Sequence, residues 1–298
     1  MSRIEEKAPN IKLIALDLDG TTLTRAGLTR RTKETLEEAI KRGIEVVIAT
    51  GRPFVALPEE VLAIKGLKYI IISNGGHICD TKGNILYSSC ADPNAMRRIR
   101  KIVMEENVPV EVFYGGGAFV DEKLYEDLKI NGSTFMGAKY IIRTRKPVKS
   151  IYDFWEEHID EIENINLHYE FQEDRLRMKE LFEKMNDITV TSSQHNNLEL
   201  VGKNTSKASA LKHLCEILNI DMNDALAAGD SPNDGDMLRE VGLSVAVGNA
   251  LDEIKEIADF IAPSNEDEGV CYTIHKYIFK DLTRTQRREA KRRKKDDL

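Results

Sequence analysis

The chain has 298 residues, enough for one large α/β domain or for a core domain that carries a second, smaller one. Hydrophobic residues make up 41% and charged residues 31% with a formal net charge of −7, a balance that excludes an intrinsically disordered chain. No apolar run approaches the roughly 20 residues that cross a bilayer, and the N-terminus lacks an apolar signal core, so we expect a cytoplasmic protein without membrane partners.

The first 75 residues alternate apolar runs with a helical pattern. Strands are predicted at 11–16, 44–49 and 69–73, and an amphipathic helix at 29–42 ends at Gly43. Strands that are apolar on both faces and separated by helices are typical of a parallel sheet covered on both sides. These elements therefore predict an α/β fold.

Two carboxylates follow the first predicted strand, in the motif DLDGT. Asp17 and Asp19 are two residues apart, so on an extended segment they point to the same side. They lie at the carboxyl end of the strand, where open α/β sheets bind ligands. A turn-shaping role explains one aspartate before Gly-Thr but not two, so the pair predicts a functional site.

The second predicted strand ends in ATGR, with Thr50 and Gly51 at its carboxyl end. A hydroxyl and exposed backbone N–H groups at such a place hold a phosphate oxygen well. A Thr-Gly turn before Pro53 is also ordinary loop chemistry, so these residues alone leave both interpretations open.

The pattern changes between about residues 89 and 192. A helix at 94–106 leads to two strand-like runs around the glycines at 115–117, which predict a hairpin. The runs NINLHYEF and DITVTSS predict further strands, with a helix at 173–185 between them. Helices mixed with hairpins indicate an α+β insertion carried by the first domain.

The alternation of strands and helices returns after residue 192. A helix is predicted at 206–218, and short strands at 225–228, 243–247 and 260–262. Lys207 lies in the first turn of that helix, where the macrodipole disfavours a cation, and such a broken local rule is typical of functional sites. If this helix start faces the carboxylates, the ammonium binds the same phosphate; a solvent-facing lysine is the alternative.

The motif GDSPND adds a second acidic cluster. Asp230 follows a short apolar strand, and Asn233 and Asp234 open the next helix, where capping alone accounts for part of the pattern. Carboxylates at the ends of neighbouring parallel strands repel one another unless a cation lies among them. Hard oxygen ligands without His or Cys favour Mg²⁺. The predicted metal site consists of Asp17, Asp19, Asp230 and Asp234.

These motifs as a set resemble the haloacid dehalogenase superfamily in order and surroundings, and within it a Cof-type member with a large cap. The runs ISNGG, VGNA and DEGV are similar to secondary signatures of that subgroup. The resemblance implies a Rossmann-like parallel-sheet core with an inserted α+β cap domain. The implied boundaries are 1–88 and 193–280 for the core, 89–192 for the cap and 281–298 for a basic C-terminal tail.

The resemblance also implies roles for single residues. Asp17 is the implied nucleophile and Asp19 the implied general acid and base. The residues implied for phosphate binding are Thr50, Gly51, Lys207 and Asn233. The groups implied around Mg²⁺ are the Asp17 carboxylate, the Asp19 backbone carbonyl and Asp230, with Asp234 supporting them. Thr22 departs from the pattern, since these proteins more often carry leucine there.

The function predicted on this basis is a Mg²⁺-dependent phosphatase that hydrolyses a small phosphorylated metabolite, such as a sugar phosphate, through an aspartyl-phosphate. Two alternatives remain open. A phosphomutase shares the same core and cap type, and a non-catalytic protein recognises a partner through the cap or the tail.

The tail and the cysteines complete the expectations. From Asp281 onward there are eight basic and four acidic residues, a bias that suits nucleic acid, anionic lipid or an acidic partner. Because the tail has no aromatic residues to stack on bases, a solvated C-terminus is favoured over a nucleic-acid contact. The four cysteines form no CxxC pair, and we expect reduced packing residues.

Overall fold

The computed structural model describes residues 11–281, which form two compact units. Within that range the first unit contains the residues up to 48, residues 58–68 and those from 212 onward, and the second contains 49–57 and 69–211. The predicted basic tail falls outside the described residues from position 282 onward.

The elements are numbered along the chain. The strands within residues 11–281 are β1 (Leu13–Leu16), β2 (Glu45–Ala49), β3 (Tyr69–Ile72), β4 (His77–Cys79), β5 (Ile85–Ser88), β6 (Val110–Tyr114), β7 (Gly117–Asp121), β8 (Lys146–Val148), β9 (Ile162–His168), β10 (Ile188–Thr191), β11 (Asn197–Gly202), β12 (Ala225–Gly229), β13 (Leu243–Ala246) and β14 (Phe260–Ile261). The α-helices are α1 (Arg30–Lys41), α2 (Glu59–Leu62), α3 (Pro93–Glu106), α4 (Glu122–Asn131), α5 (Ala138–Thr144), α6 (Ile151–Glu157), α7 (Gln172–Glu183), α8 (Lys207–Leu218), α9 (Gly235–Glu240), α10 (Asp252–Ile257) and α11 (Gly269–Thr273).

The first unit is built on a parallel sheet. Its strands pair in the order β14-β13-β12-β1-β2, and every residue of β1 and β12 is buried. Leu16 lies opposite Ala228 on one side and opposite Ile48 on the other, so β1 is flanked on both edges by parallel neighbours. The predicted Rossmann-like parallel-sheet core is confirmed.

Helix α1 shows how closely local sequence signals determine an element of this unit. The Thr29 side chain caps its start by accepting a hydrogen bond from the Thr32 backbone N–H, and Gly43 follows its end with φ +84°. Leu36 and Ala39 are fully buried on one face. The helix predicted at 29–42 is therefore observed almost as expected.

The second unit contains an antiparallel hairpin arrangement of β3, β4 and β5 and a six-stranded sheet in the order β10-β11-β9-β6-β7-β8. Alternate residues of β6, β9 and β11 face an apolar core that they share with α3, α6 and α7. Buried members of that core include Val112, Ile165, Leu200, Ile99, Trp155 and Phe182. Strands mixed with helices in this way match the predicted α+β character of the inserted domain.

The predicted cap boundaries remain a prediction, but the sheet does not stop at residue 192. Strand β11 (Asn197–Gly202) pairs with β9 and β10, so the six-stranded sheet includes residues that the sequence assigned to the core. Helices α4, α5 and α6 were not predicted. Some of their apolar residues, such as Leu128 and Ile141, pack in a small cluster. Because few apolar residues are needed there, the helical periodicity of the sequence is weak.

The helices and the cysteines bear on two of the sequence-based expectations. No helix among residues 11–281 combines the length and the apolar character needed to cross a membrane. All four cysteines are free thiols, and burial raises the pKa of the Cys79 thiol to about 12, as expected of an inert packing residue.

The face of the six-stranded sheet opposite the apolar core is polar and buried. Glu111 on β6, Asn166 on β9 and Glu199 on β11 lie side by side in one row across three strands. Glu111 accepts a hydrogen bond from Arg145 Nε at 2.5 Å, and His168 Nε2 lies 2.6 Å from its other oxygen. Burial by itself would raise the pKa of the Glu111 carboxyl, but the Arg145 and His168 interactions prevail and lower it to about 2.

Replacing Glu111 with glutamine removes this charge and nearly preserves the shape of the side chain. We expect Glu111→Gln to lower the free energy of unfolding by roughly 3 kcal/mol near pH 7, because it leaves the buried Arg145 charge without its partner. The folded pKa lies below the ordinary value of 4.5, so the carboxylate stabilises the fold fully above that pH and progressively less as the pH falls toward about 2.

Thermal unfolding of the wild type and of Glu111→Gln at pH 7 and at about pH 3.5 measures the effect. The difference in melting temperature should shrink at the lower pH. Glu183→Gln, which alters an exposed ion pair with Lys179 in the same unit, serves as the control and should change little. A difference for Glu111→Gln that is equal at both pH values would contradict this account.

Candidate active site

The DLDGT motif forms a tight turn directly after β1. The backbone N–H of Asp17 still donates to the Ala228 carbonyl at 3.0 Å, which continues the pairing with β12. The segment Leu18–Thr22 then coils, with the Thr22 hydroxyl donating to the Asp17 carbonyl at 2.5 Å. Asp17 and Asp19 both have extended backbone angles, at φ −65°, ψ 157° and φ −77°, ψ 122°, and the chain turns at Gly20, where φ is +77°. Asp17 is 5% exposed, whereas Asp19 is exposed.

Gly20 brings the turn against the second acidic motif. Its φ is +77°, and a Cβ atom built there would lie 2.4 Å from Asp230 Oδ2, so only glycine fits. The Thr21 hydroxyl donates to Asp230 Oδ1 at 3.1 Å, and the Asn249 amide donates to the Gly20 carbonyl at 2.8 Å. The turn after β1 and the loop after β12 are thus held together by close packing and hydrogen bonds.

Asp234 organises the loop that carries Asp230. Its Oδ2 atom accepts hydrogen bonds from the backbone N–H groups of Asp230 and Ser231, at 3.0 and 3.1 Å. The Asp234 side chain is fully buried, and a Cβ atom built on Gly229 would lie 2.4 Å from the Cβ atom of Asp234. Asp234 therefore holds the backbone of the loop that carries Asp230.

Three of the four predicted metal ligands come together. Asp17, Asp230 and Asp234 each offer a carboxylate oxygen, and these atoms all lie within 4.8 Å of one another. Three carboxylates at this separation repel unless a cation lies between them, and an all-oxygen set suits a hard cation. The cluster is thus able to hold a metal ion. The Asp19 side chain is not a member, which is compatible with its predicted contribution through the backbone carbonyl.

The residues predicted to bind phosphate occur in both units. Asn233 lies in the first, half-buried in the 3₁₀ turn Pro232–Asp234 beside the acidic cluster. Thr50, Gly51 and Lys207 lie in the second unit. Their predicted binding roles remain predictions, and each has a defined local setting.

Thr50 directly follows β2 and is buried. The residue is 1% exposed, and its hydroxyl accepts a hydrogen bond from the Arg52 backbone N–H at 3.1 Å. Lys207 begins α8 and is fully buried, so the alternative of a solvent-facing lysine is wrong. A buried ammonium at a helix start is strongly disfavoured unless negative charge accompanies it.

Two further polar residues in the second unit were not singled out as site residues. Asn74, in the ISNGG run, has φ +55°, and Glu199, on β11, is a buried carboxylate. The signals were available, because Asn-Gly is typical of a left-handed turn and Glu199 interrupts the apolar residues of NLELVG. Neither signal indicates a link to the other residue.

Comparison with known proteins identifies the family. The family model described as haloacid dehalogenase-like hydrolase matches residues 14–274. Phosphatase YwpJ of Bacillus subtilis is 31% identical over 88% of this chain and 98% of its own length. The 5-amino-6-(5-phospho-D-ribitylamino)uracil phosphatase YcsE of the same organism is 28% identical over 92% of this chain and 99% of its own.

The solved structures agree with the sequences. A haloacid dehalogenase-like hydrolase from B. subtilis, 30% identical, has a TM-score of 0.77 and covers 92% of this chain and 100% of its own. The chain belongs to the haloacid dehalogenase-like hydrolases, in the Cof-type branch that the motifs predicted. The predicted enzyme class, a phosphoric monoester hydrolase, is confirmed with it.

Substitution of Gly20 tests whether the packing against Asp230 shapes the metal cluster. We expect Gly20→Ala to weaken the affinity for Mg²⁺ at least about tenfold, because the added methyl group displaces the Asp230 carboxylate. Gly43→Ala is the matched control, since Gly43 has φ +84° but no atom within 4 Å of a built Cβ. The increase in melting temperature with added MgCl₂ measures the affinity. Equal affinities in the two variants would refute the proposed shaping role.

Proposed function

We propose that this protein is a Mg²⁺-dependent phosphatase that hydrolyses a small phosphorylated metabolite through an aspartyl-phosphate on Asp17. The single observation that carries the proposal is the convergence of Asp17, Asp230 and Asp234 at the carboxyl ends of β1 and β12. A buried aspartate whose oxygen lies beside two other carboxylates needs a cation, and a phosphate dianion approaching it needs one equally.

The donor set fits Mg²⁺. All three side chains offer carboxylate oxygen, and the backbone carbonyl of Asp19 is the proposed additional oxygen ligand. Asp234 supports the set, because its Oδ2 already accepts two backbone hydrogen bonds that hold the Asp230 loop. When bound, Mg²⁺ supplies positive charge that reduces the repulsion between the Asp17 carboxylate and the phosphate.

The proposed reaction has two steps carried by the chain's own residues. An Asp17 carboxylate oxygen attacks phosphorus in line with the leaving oxygen, while the Asp19 carboxyl group donates its proton to the departing alkoxide. The products are an aspartyl-phosphate and the free alcohol. In the second step Asp19, now ionised, takes a proton from the water that attacks phosphorus, which releases inorganic phosphate and restores Asp17.

The different exposures of the two aspartates support this division of roles. Asp17 is nearly buried and fixed by the β1–β12 pairing, as a nucleophile that must not change orientation should be. Asp19 is exposed, so its carboxyl group is able to exchange protons with solvent between steps. Phosphate binding is proposed for Thr50, Gly51, Lys207 and Asn233.

The substrate class proposed is a small phosphorylated metabolite. One relative's name specifies 5-amino-6-(5-phospho-D-ribitylamino)uracil, in which phosphate is esterified to a sugar-alcohol chain. At 28% identity this relative favours a monoester of a sugar or sugar alcohol as the first group of compounds to examine. No macromolecular partner is needed for the proposed reaction.

The nucleophile assignment predicts the effect of one isosteric change. Asp17→Asn should reduce phosphate release at least about 1,000-fold, because the amide cannot attack phosphorus, while the fold is retained. Release is measured with sugar phosphates, nucleotides and pyridoxal phosphate, in Mg²⁺ and in EDTA. Asp236→Asn, an exposed aspartate on α9, is the control and should keep wild-type rates. Retention of a tenth of the activity by Asp17→Asn would exclude it as nucleophile.

The proton-transfer assignment predicts a slower reaction in both steps for Asp19→Asn, by roughly 100-fold or more. Single-turnover kinetics separates formation of the aspartyl-phosphate from its hydrolysis. Unchanged rates would remove Asp19 from the mechanism. Transfer without release of inorganic phosphate by the wild type, dependent on a bisphosphate primer, would replace the phosphatase with a phosphomutase.

A further inference from the structure

The turn at residues 73–75 contacts two segments of the second unit that the proposed function assigns to phosphate binding. The backbone N–H of Asn74 donates to the Thr50 carbonyl at 3.1 Å. A Cβ atom on Gly51 would lie 3.1 Å from Asn74 Oδ1, so the Asn74 amide packs directly on the Gly51 backbone. On the other side, a Cβ on Gly75 would lie 2.1 Å from the carbonyl oxygen of Ser206, the residue before Lys207.

The turn has an unusual backbone that its surroundings must maintain. Ser73, Asn74 and Gly75 have φ values of +51°, +55° and +97°, three consecutive residues in the left-handed region. Only glycine adopts this region without strain. Two buried carboxylates hold the strained residues: the Ser73 hydroxyl donates to Glu163 and the Asn74 amide donates to Glu199, each at 2.5 Å.

Glu199 is the carboxylate on which the arrangement around Asn74 depends. Besides Asn74, it accepts hydrogen bonds from the Ser193 hydroxyl at 2.7 Å and from the Asn197 amide at 3.1 Å. Burial raises the pKa of the Glu199 carboxyl, and the hydrogen bonds and the positive charge of Lys207 oppose that rise. A buried carboxylate with three donors and a neighbouring ammonium has a fixed position, and it fixes its donors in turn.

The orientation of the Asn74 amide follows from this contact. Nδ2 donates to Glu199 Oε2, and a Cβ on Gly51 would lie 3.1 Å from Oδ1 and 3.3 Å from Nδ2, so the amide held by Glu199 packs against Gly51. The same side chain therefore joins a strand of the six-stranded sheet to the turn at the end of β2.

We propose that Glu199 and Asn74 are positioning residues for phosphate binding: Glu199 orients the Asn74 amide, Asn74 supports the Thr50–Gly51 turn, and the turn at residues 73–75 packs on Ser206 next to Lys207. This inference rests on the proposed function, which assigns phosphate binding to Thr50, Gly51 and Lys207. Neither Glu199 nor Asn74 contacts the reacting atoms or transfers a proton. They keep two separate phosphate-binding segments in one arrangement.

A double-mutant cycle tests the link between the two residues. Glu199→Gln removes the charge, and Asn74→Gly removes the amide while tolerating the left-handed backbone. With p-nitrophenyl phosphate, each change should lower kcat/KM by about 10- to 100-fold. The double variant should be no worse than the poorer single variant, because both changes disrupt the same contact. Effects that multiply would overturn the inference.

Glu111→Gln is the matched control. Glu111 lies on the same buried row of the same sheet as Glu199, but its partners are Arg145 and His168. Both glutamine variants should lose stability, whereas kcat/KM at 20 °C should fall only in Glu199→Gln and stay within about twofold in Glu111→Gln. An equal loss of kcat/KM in both would show a merely structural role and overturn the inference.

Binding of inorganic phosphate provides a readout that does not need turnover. In the presence of MgCl₂, phosphate should raise the melting temperature of the wild type and of Glu111→Gln, and much less that of Glu199→Gln. If the wild type hydrolyses nothing but shows this pattern, the proposed function fails and the inference stands. If the wild type hydrolyses phosphate esters and Glu199→Gln matches Glu111→Gln in both readouts, the inference alone fails.

Discussion

The parallel pairing of β1 with β12 is the constraint on which the acidic site depends. Leu16, the last residue of β1, lies opposite Ala228, one residue before the end of β12, and the two strands are followed directly by Asp17 and Asp230. The apolar sheet thereby forces carboxylates into proximity that their charges oppose. The packing of Gly20 on Asp230 and the hydrogen bonds to Asp234 keep the carboxylates close together. A cation bound between them would relieve their mutual repulsion, and this favours cation binding.

The sequence predicted the first unit well because its signals are local. Buried strands such as β1 and β12 are short apolar runs, and α1 carries both its cap at Thr29 and its stop at Gly43. The acidic residues at the strand ends were predicted as a group since parallel strands end at a common edge. What periodicity did not predict was the tight turn after Asp19, in which Gly20 has φ +77° and the Thr22 hydroxyl donates to the Asp17 carbonyl.

The second unit was harder to predict because its polar residues are partners of residues far away in the chain. Glu199 meets Asn74 across 125 positions, and Glu111 meets His168 across 57. No spacing rule connects such pairs, so the sequence showed only isolated charges in strands. The extent of the sheet was missed for a related reason: β11 precedes the Lys207 helix directly and was assigned with it, although its pairing partners are β9 and β10.

The cluster of Glu111, Arg145 and His168 also constrains how this sheet changes during evolution. Each of the three side chains is nearly buried, so losing one leaves the others charged or polar without compensation. Replacing all three with apolar residues of similar volume avoids leaving an unpaired buried charge. A single substitution in this cluster should therefore cost more stability than a coordinated replacement of all three residues, so we expect the three positions to change together between lineages.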